Sequence, residues 1–231
     1  MDTFRFNRAS LLNVGFLESA KVLKSAGLTQ DCDFVALHDV DLVPLNPGLP
    51  YVYPEKGPFH VAAPGLHPKY DYPSFLGGIL LLTREQYHLA NGMSNRYWGW
   101  GLEDDEFHRR LIDADLKVHR PQNISTGKEN TFKHFHHPRS RKRDVTKCYN
   151  QHEVTRKRDR ETGLDSVEYK MGRIYQNCVD NVPYTLLNVV LECDREKTPW
   201  CDCKNAPKNV QKKKLPRDED VIVPVIKRKT W

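Results

Sequence analysis

The chain has 231 residues, 29% charged and 10% aromatic, with a formal net charge of +6. That length supports one domain with a sizeable core, and the composition excludes a wholly disordered polymer. The basic excess gathers in 139–160 and 204–231. It lacks the interleaved aromatic residues that a nucleic-acid stacking surface needs, so no nucleic-acid partner is expected.

In chain order, "NRASLLNVGFLESAKVLKSAG" carries apolar residues at helical spacing, with Asn7 or Ser10 available as a cap, and predicts one helix ending at Gly27. "CDFVALHDVDLVPL" turns from apolar to acidic, which predicts a buried strand presenting Asp39 and Asp41 at its C-terminal end. Residues 44–74, rich in proline, tyrosine and histidine, read as irregular loop. "SFLGGILLLT" predicts a second buried strand, with Gly77 and Gly78 permitting close backbone approach. "TREQYHLANG" predicts a helix closing at Gly92, and "EDDEFHRRLIDADL" a helix whose acidic first turn suits the helix dipole. "TFKHFHH" alternates like a short strand, a basic helical stretch is expected after it, and "VPYTLLNVVLEC" predicts a last strand. Beyond Cys203 the chain has the composition of a disordered basic tail, in which "VIVPVI" is an isolated apolar segment. No internal repeat is present.

Six cysteines occur without a paired C-x-x-C zinc pattern. Cys193 and Cys201 flank "DREKTPW", a turn-like stretch with a proline, and a small disulfide-closed loop between them is expected. Such a bond implies an oxidising compartment, which the sequon Asn123-Ile124-Ser125 also fits. No apolar run reaches the roughly 20 residues of a membrane span, and "MDTFRFNRAS" has no signal-peptide core.

Three clusters carry chemistry. Asp39-Val40-Asp41 at a strand end places both carboxylates on one side by the period of two, which suits a divalent cation and a diphosphate; the same pattern also serves as a capping cluster. His134-x-His136 on a strand points two imidazoles the same way. With Asp41 they make a mixed N/O set that suits manganese and leaves positions open for phosphate oxygens. In "WGWGLEDDEF", Trp100 and Gly101 lead straight into Glu103, Asp104, Asp105 and Glu106. An aromatic face beside carboxylates holds a sugar ring, and one carboxylate can take a proton from an attacking hydroxyl.

These motifs, with "FNRASLLNVGF", "HDVDLVPL", "FLGGILLL", "NGMSNRYWGWGLEDDEF" and "HFH" in that order, resemble the β-1,4-galactosyltransferase family from about residue 5 to 203. Within it, the H-x-H cluster, "LHPKYDYPSFLGG" and "LNVVLECDREKTPWCDC" are similar to the branch whose acceptor is xylose on proteoglycan core proteins. The resemblance implies an α/β GT-A fold, a Rossmann-like mixed sheet flanked by helices. It implies inverting, manganese-dependent transfer of galactose from UDP-galactose to the 4-hydroxyl of xylose. Asp41, His134 and His136 would bind Mn2+. Phe6, Asn7 and Arg8 would contact the nucleotide, Asp39 and Val40 would lie beside ribose and phosphate, and Arg143 would pair with the diphosphate. Tyr70 and Trp100 would hold the donor. Tyr70, Tyr72, Trp100, Leu102, Asp104 and Asp105 would surround the xylose, with Asp104 as general base and Glu103 assisting.

The implied organisation is a catalytic domain over 1–203 and a basic tail over 204–231. The family's membrane anchor, stem and first strand are not recognised in the chain, so the first strand of the sheet is expected to be absent. A Golgi-lumenal location is implied, with a type II membrane anchor in a full-length form. Two alternatives stand beside the enzyme: a non-catalytic sugar- or partner-binding remnant of the family, and a metal-dependent phosphohydrolase, which leaves the W-G-W-G motif unexplained.

Overall fold

The computed structural model describes residues 3–25, 33–137, 139 and 141–207. In chain order these form α1 (Arg8–Ser25), β1 (Phe34–His38), β2 (Leu42–Pro44), β3 (Phe59–His60), β4 (Ile79–Thr83), α2 (Arg84–Leu89) and α3 (Glu103–Asp113). Then follow α4 (Lys128–Thr131), β5 (Phe132–His134), α5 (Gln151–Val154), β6 (Tyr169–Val179) and β7 (Val182–Leu191).

The apolar run at β4 organises the interior. β4 lies between β1 and β3, antiparallel to both. Its alternate residues enter two cores. Leu80 and Leu82 join Ala9 and Phe16 of α1, Tyr87 of α2, and Phe107 and Leu111 of α3. Ile79 and Leu81 join Leu42, Val61, Ala62 and Phe132. A strand covered on both faces has no polar side, which is why its sequence is continuous rather than alternating. A third cluster gathers Val14, Trp98, Cys148, Leu191, Trp200 and Cys201.

Helix boundaries follow local chemistry. Asn7 caps α1: its Oδ1 accepts from the Ser10 N–H at 2.9 Å. Thr83 and Gln86 form a capping box at the start of α2, which closes as expected near Gly92, at φ 56°. Leu102, at φ 77°, turns the chain into α3, whose first turn holds Glu103, Asp104, Asp105 and Glu106. A buried network spans α3 from its first turn to its last: Arg110 Nε donates to Glu106 at 2.8 Å, and Arg158 reaches the same carboxylate at 2.5 Å.

The α/β reading holds, with several local corrections. Every ladder among the described strands is antiparallel, and the parallel pairing is an isolated bridge, Phe59 with His119. The strand expected across residues 32–45 is two strands, β1 and β2, because the chain turns at Val40 and Asp41. Residues 74–78 are not strand: Gly78, at φ 85°, bends the chain into β4, and a Cβ there would come within 2.8 Å of Ala62 Cβ. Within the irregular 44–74 region β3 pairs with β4. The helix expected in the basic segment after 137 is confined to the four residues of α5. β6 was not anticipated. It pairs with β7 through a two-residue turn at Asp180 and Asn181, both at positive φ. Gly27 and residues 208–231, and with them "VIVPVI", lie outside the described residues.

The expected bond Cys193–Cys201 is present, and a second, Cys148–Cys203, joins it. Cys178 is exposed and unpaired. Asn123 is exposed in a loop at φ 59°. No helix among the described residues is long and apolar enough to cross a membrane.

Candidate active site

An open cleft of about 990 Å³ runs between the start of α1, the β1–β2 turn, the end of β5, the 67–77 loop, the first turn of α3 and the 141–147 segment. Of the residues singled out from sequence for donor, acceptor or metal, all but Asn7 line it. Asn7 is fully buried, capping α1 and donating from Nδ2 to Asn95 O at 2.9 Å, so its amide supports the wall from behind.

The D-x-D pair divides. Asp39 accepts from Arg8 Nε at 2.8 Å and NH2 at 2.5 Å, and from Gly78 N–H at 3.2 Å. Asp41 faces the histidines instead: its Oδ2 is 3.5 Å from His134 Nε2 and 3.7 Å from His136 Nδ1. The two carboxylates line one cleft but take different partners, since the chain turns at Val40 and Asp41. His136 lies beyond the end of β5, yet the alternation of burial continues through it. Phe135 N–H bonds Asp41 O at 2.7 Å, holding the two histidines to one face.

No group of three or more His, Cys, Asp or Glu is fully assembled as a ligand set among the described residues. The Asp41–His134–His136 trio nevertheless fits a divalent ion. With metal–ligand bonds of about 2.1 Å, two ligands at right angles stand about 3 Å apart, and the Asp41–imidazole separations of 3.5 and 3.7 Å are somewhat longer than that. Burial holds the His134 pKa below the usual imidazole range, favouring the neutral form that a metal takes. The donor set of one carboxylate and two imidazoles suits a transition metal.

Opposite stand the carboxylates of α3. The Asp104 pKa is pushed up to about 8, first by burial, then by Glu103 and Asp105, with the Arg8 guanidinium opposing. Burial likewise raises Asp105 to about 6, against hydrogen bonds from Ser74 and Tyr72. The Tyr72 hydroxyl, buried beside Asp104 and Asp105, is held protonated far above its ordinary range. Glu103 Oε2 is buried without a hydrogen-bond partner. A buried acceptor without a partner is uncommon, and Glu103 also lines the cleft.

Trp100 is 42% exposed at the cleft edge. Its N–H bonds Asp144 O at 2.8 Å and its carbonyl accepts from Lys147 Nζ at 3.3 Å. The Arg143 guanidinium lies 4.6 Å from its ring and 5.8 Å from the Tyr70 ring. Phe6 and Val40, 65% and 92% exposed, leave apolar surface at the mouth.

Three contributors escaped sequence reasoning. Arg5 ties the Trp100 loop to the C-terminal segment, donating to Asp144 at 2.6 Å, Gln151 at 2.8 Å and Trp200 O at 3.0 Å. Phe75 and His67 line the cleft behind the tyrosines. Nothing in their spacing distinguishes them from ordinary core residues, since their partners come from distant parts of the chain.

An α/β frame that sets an aspartate and two imidazoles across one cleft from acidic and aromatic side chains fits the glycosyltransferase class. Residues 57–137 match a family model described as the N-terminal domain of galactosyltransferase. The chain is 57% identical over 204 residues to beta-1,4-galactosyltransferase 7 of Drosophila melanogaster, covering 88% of this chain and 61% of that one. It is 46% identical to the xylosylprotein 4-beta-galactosyltransferase of Caenorhabditis elegans, covering 87% of this chain and 68% of the relative. Crystal structures of the Drosophila catalytic domain with xylobiose, and of a mutant with manganese, UDP-Gal and xylobiose, superpose with TM-score 0.82 at 56% identity. They cover 88% of this chain and 82% of theirs. The chain belongs to the β-1,4-galactosyltransferase family, with its GT-A fold. It spans about three fifths of the length of the fly and human relatives.

Proposed function

We propose that the protein is an inverting galactosyltransferase that moves galactose from UDP-galactose to the 4-hydroxyl of xylose on a proteoglycan core protein. The observation that carries this is the placement of Asp104 in the same cleft as the converging Asp41, His134 and His136. The solved relative of like fold bears manganese, UDP-Gal and xylobiose.

Asp41, His134 and His136 would hold Mn2+, whose charge offsets that gathering on a departing diphosphate. Arg143 adds a fixed positive charge on the same wall. Arg8, bonded to Asp39, fixes the turn that carries Asp41. Trp100 offers a flat face to a sugar, and Tyr70 and Tyr72 close the opposite side. Leu102 and Asp105 bound the acceptor, and Glu103, which lines the same cleft with one buried, unpartnered oxygen, assists Asp104. Asp104 takes the proton of the attacking xylose hydroxyl. Its raised pKa makes the carboxylate a stronger base than a solvated one, a role worth roughly 10²–10⁴ in rate. Attack from the face opposite the leaving group inverts the anomeric centre in one displacement.

The two disulfides support a location in an oxidising lumen, and the exposed sequon agrees with it. We assign that lumen to the Golgi, with attachment by a type II anchor in the full-length form. The test is transfer of galactose from UDP-galactose to a β-xyloside, with manganese and with chelator. Transfer that stops with chelator is the expected result; no transfer to the xyloside overturns the proposal.

A further inference from the structure

His67 has no part in the chemistry described above, yet it is 3% exposed and lines the cleft. Its Nδ1 accepts two backbone N–H groups, those of Lys69 and Tyr70, each at 3.0 Å. Backbone N–H can only donate, so Nδ1 carries no hydrogen and the neutral ring bears it on Nε2. Pro68 between them has no N–H and a restricted φ, so the chain curls round the ring with its next two amides on one nitrogen.

The ring also connects the two halves of the cleft. Its centroid is 5.9 Å from His134, 5.2 Å from Tyr70 and 5.0 Å from Phe75. Arg143 continues the series from Tyr70 to Trp100. A run of contacts thus leads from an imidazole of the metal side, through His67, to the tyrosine loop and the tryptophan.

We propose that His67 is a positioning residue: by accepting two amides on Nδ1 it holds the 68–72 loop so that Tyr70 and Tyr72 face Asp104. This rests on the reading of that loop as the acceptor wall. Among the described residues these two amides have no other acceptor; the same loop is also held at Asp71, which accepts from Lys128. A purely space-filling role would require only a ring of similar size.

The test compares His67→Ala with His67→Asn, whose side-chain oxygen stands where Nδ1 stood. Steady-state kinetics with a β-xyloside and amide hydrogen exchange at Lys69 and Tyr70 are both measured. In His67→Ala the xyloside KM rises by about thirtyfold, the worth of two neutral hydrogen bonds, and the UDP-galactose KM rises less, through Tyr70, while the manganese titration stays at the parent value. His67→Asn restores the xyloside KM and amide protection. Equal effects of Ala and Asn, or a loss confined to donor and manganese dependence, overturn the proposal. So does exchange in the parent as fast at these two amides as in free loops, a result that needs no variant to fold. If the parent transfers no galactose to the xyloside, the functional reading fails by that result alone, and the exchange comparison still decides the anchor.

Discussion

Gly77 stands where any side chain would strike Asp104: a Cβ built on it falls 2.9 Å from Asp104 Oδ2 and 2.9 Å from Phe75 Cε2. The loop before β4 thereby forms the wall against which the first turn of α3 sets its carboxylate. His60 fixes that wall from behind. Burial holds its pKa down to about 3, so the neutral ring donates from Nε2 to Gly77 O at 2.8 Å. Gly77→Ala is therefore expected to displace Asp104. A shift near 1 Å in a reacting group costs about 10²-fold, and xyloside kcat/KM should fall on that scale with circular dichroism unchanged. Parent-like kinetics would show that the wall does not position the base.

The base works only when ionised. With the Asp104 pKa pushed up to about 8 in the free protein, kcat/KM for the xyloside should climb with pH to near that value and then level off. Asp104→Asn should abolish transfer while UDP and manganese binding persist. A pH–rate profile already flat from pH 6, or transfer by the Asn variant near the parent rate, would remove Asp104 from this role.

The same carboxyl affects stability, with the opposite sign to that of a salt-bridged aspartate. Its folded pKa lies above the ordinary aspartate value of 3.8, so folding opposes ionisation. Stability is undiminished below about pH 4 and is lost progressively as pH rises toward 8. Asp104→Asn should consequently raise the unfolding free energy at pH 8 by at least one pK unit's worth, about 1.4 kcal/mol, and leave it unchanged at pH 4. Urea titrations at the two pH values measure this, and equal stabilities at pH 8 would contradict it.

On the opposite wall, His134 and His136 are interchangeable in chemistry but not in support. His134 belongs to β5, paired with Leu42, whereas His136 lies past the strand end. His134→Ala should raise the manganese concentration for half-maximal activity by more than the ~10-fold that losing even an outer partner costs. An unchanged metal titration would reject it as a ligand.

Cys148–Cys203 closes a separation of 55 residues. The chain-entropy relation values such a closure at about 4 kcal/mol. The Cys148→Ser/Cys203→Ser double variant should lose stability on that scale, and activity with it, because Arg5 and the Trp100 loop pack against the same segment. Guanidinium denaturation of parent and variant provides the comparison.

What was legible in the chain follows from how far each signal reaches. β4 and the amide-capped α1 were readable because burial on two faces and a cap are local. The H-x-H pair was readable because a period of two survives even where the ladder ends. The D-x-D pair was legible as two carboxylates of one cleft but not in its partners, because the rule of two holds only inside a strand and this one turns at Val40. The β6–β7 hairpin was half missed because Ile174, Tyr175, Val182, Tyr184 and Leu186 are all exposed, so no buried face imposed an alternating pattern on β6.

By itself, the order of residues determined the family, the buried strand β4, and the side chains able to hold a metal or accept a proton. Tertiary structure alone decided that Asp39 would turn to Arg8 while Asp41 met the imidazoles. It alone placed Gly77 behind Asp104, curled the Lys69 and Tyr70 amides onto His67, and joined Cys148 to Cys203. Spacing rules act over a few residues along one strand or helix, whereas these contacts depend on where separate segments come to rest when their apolar faces are buried together.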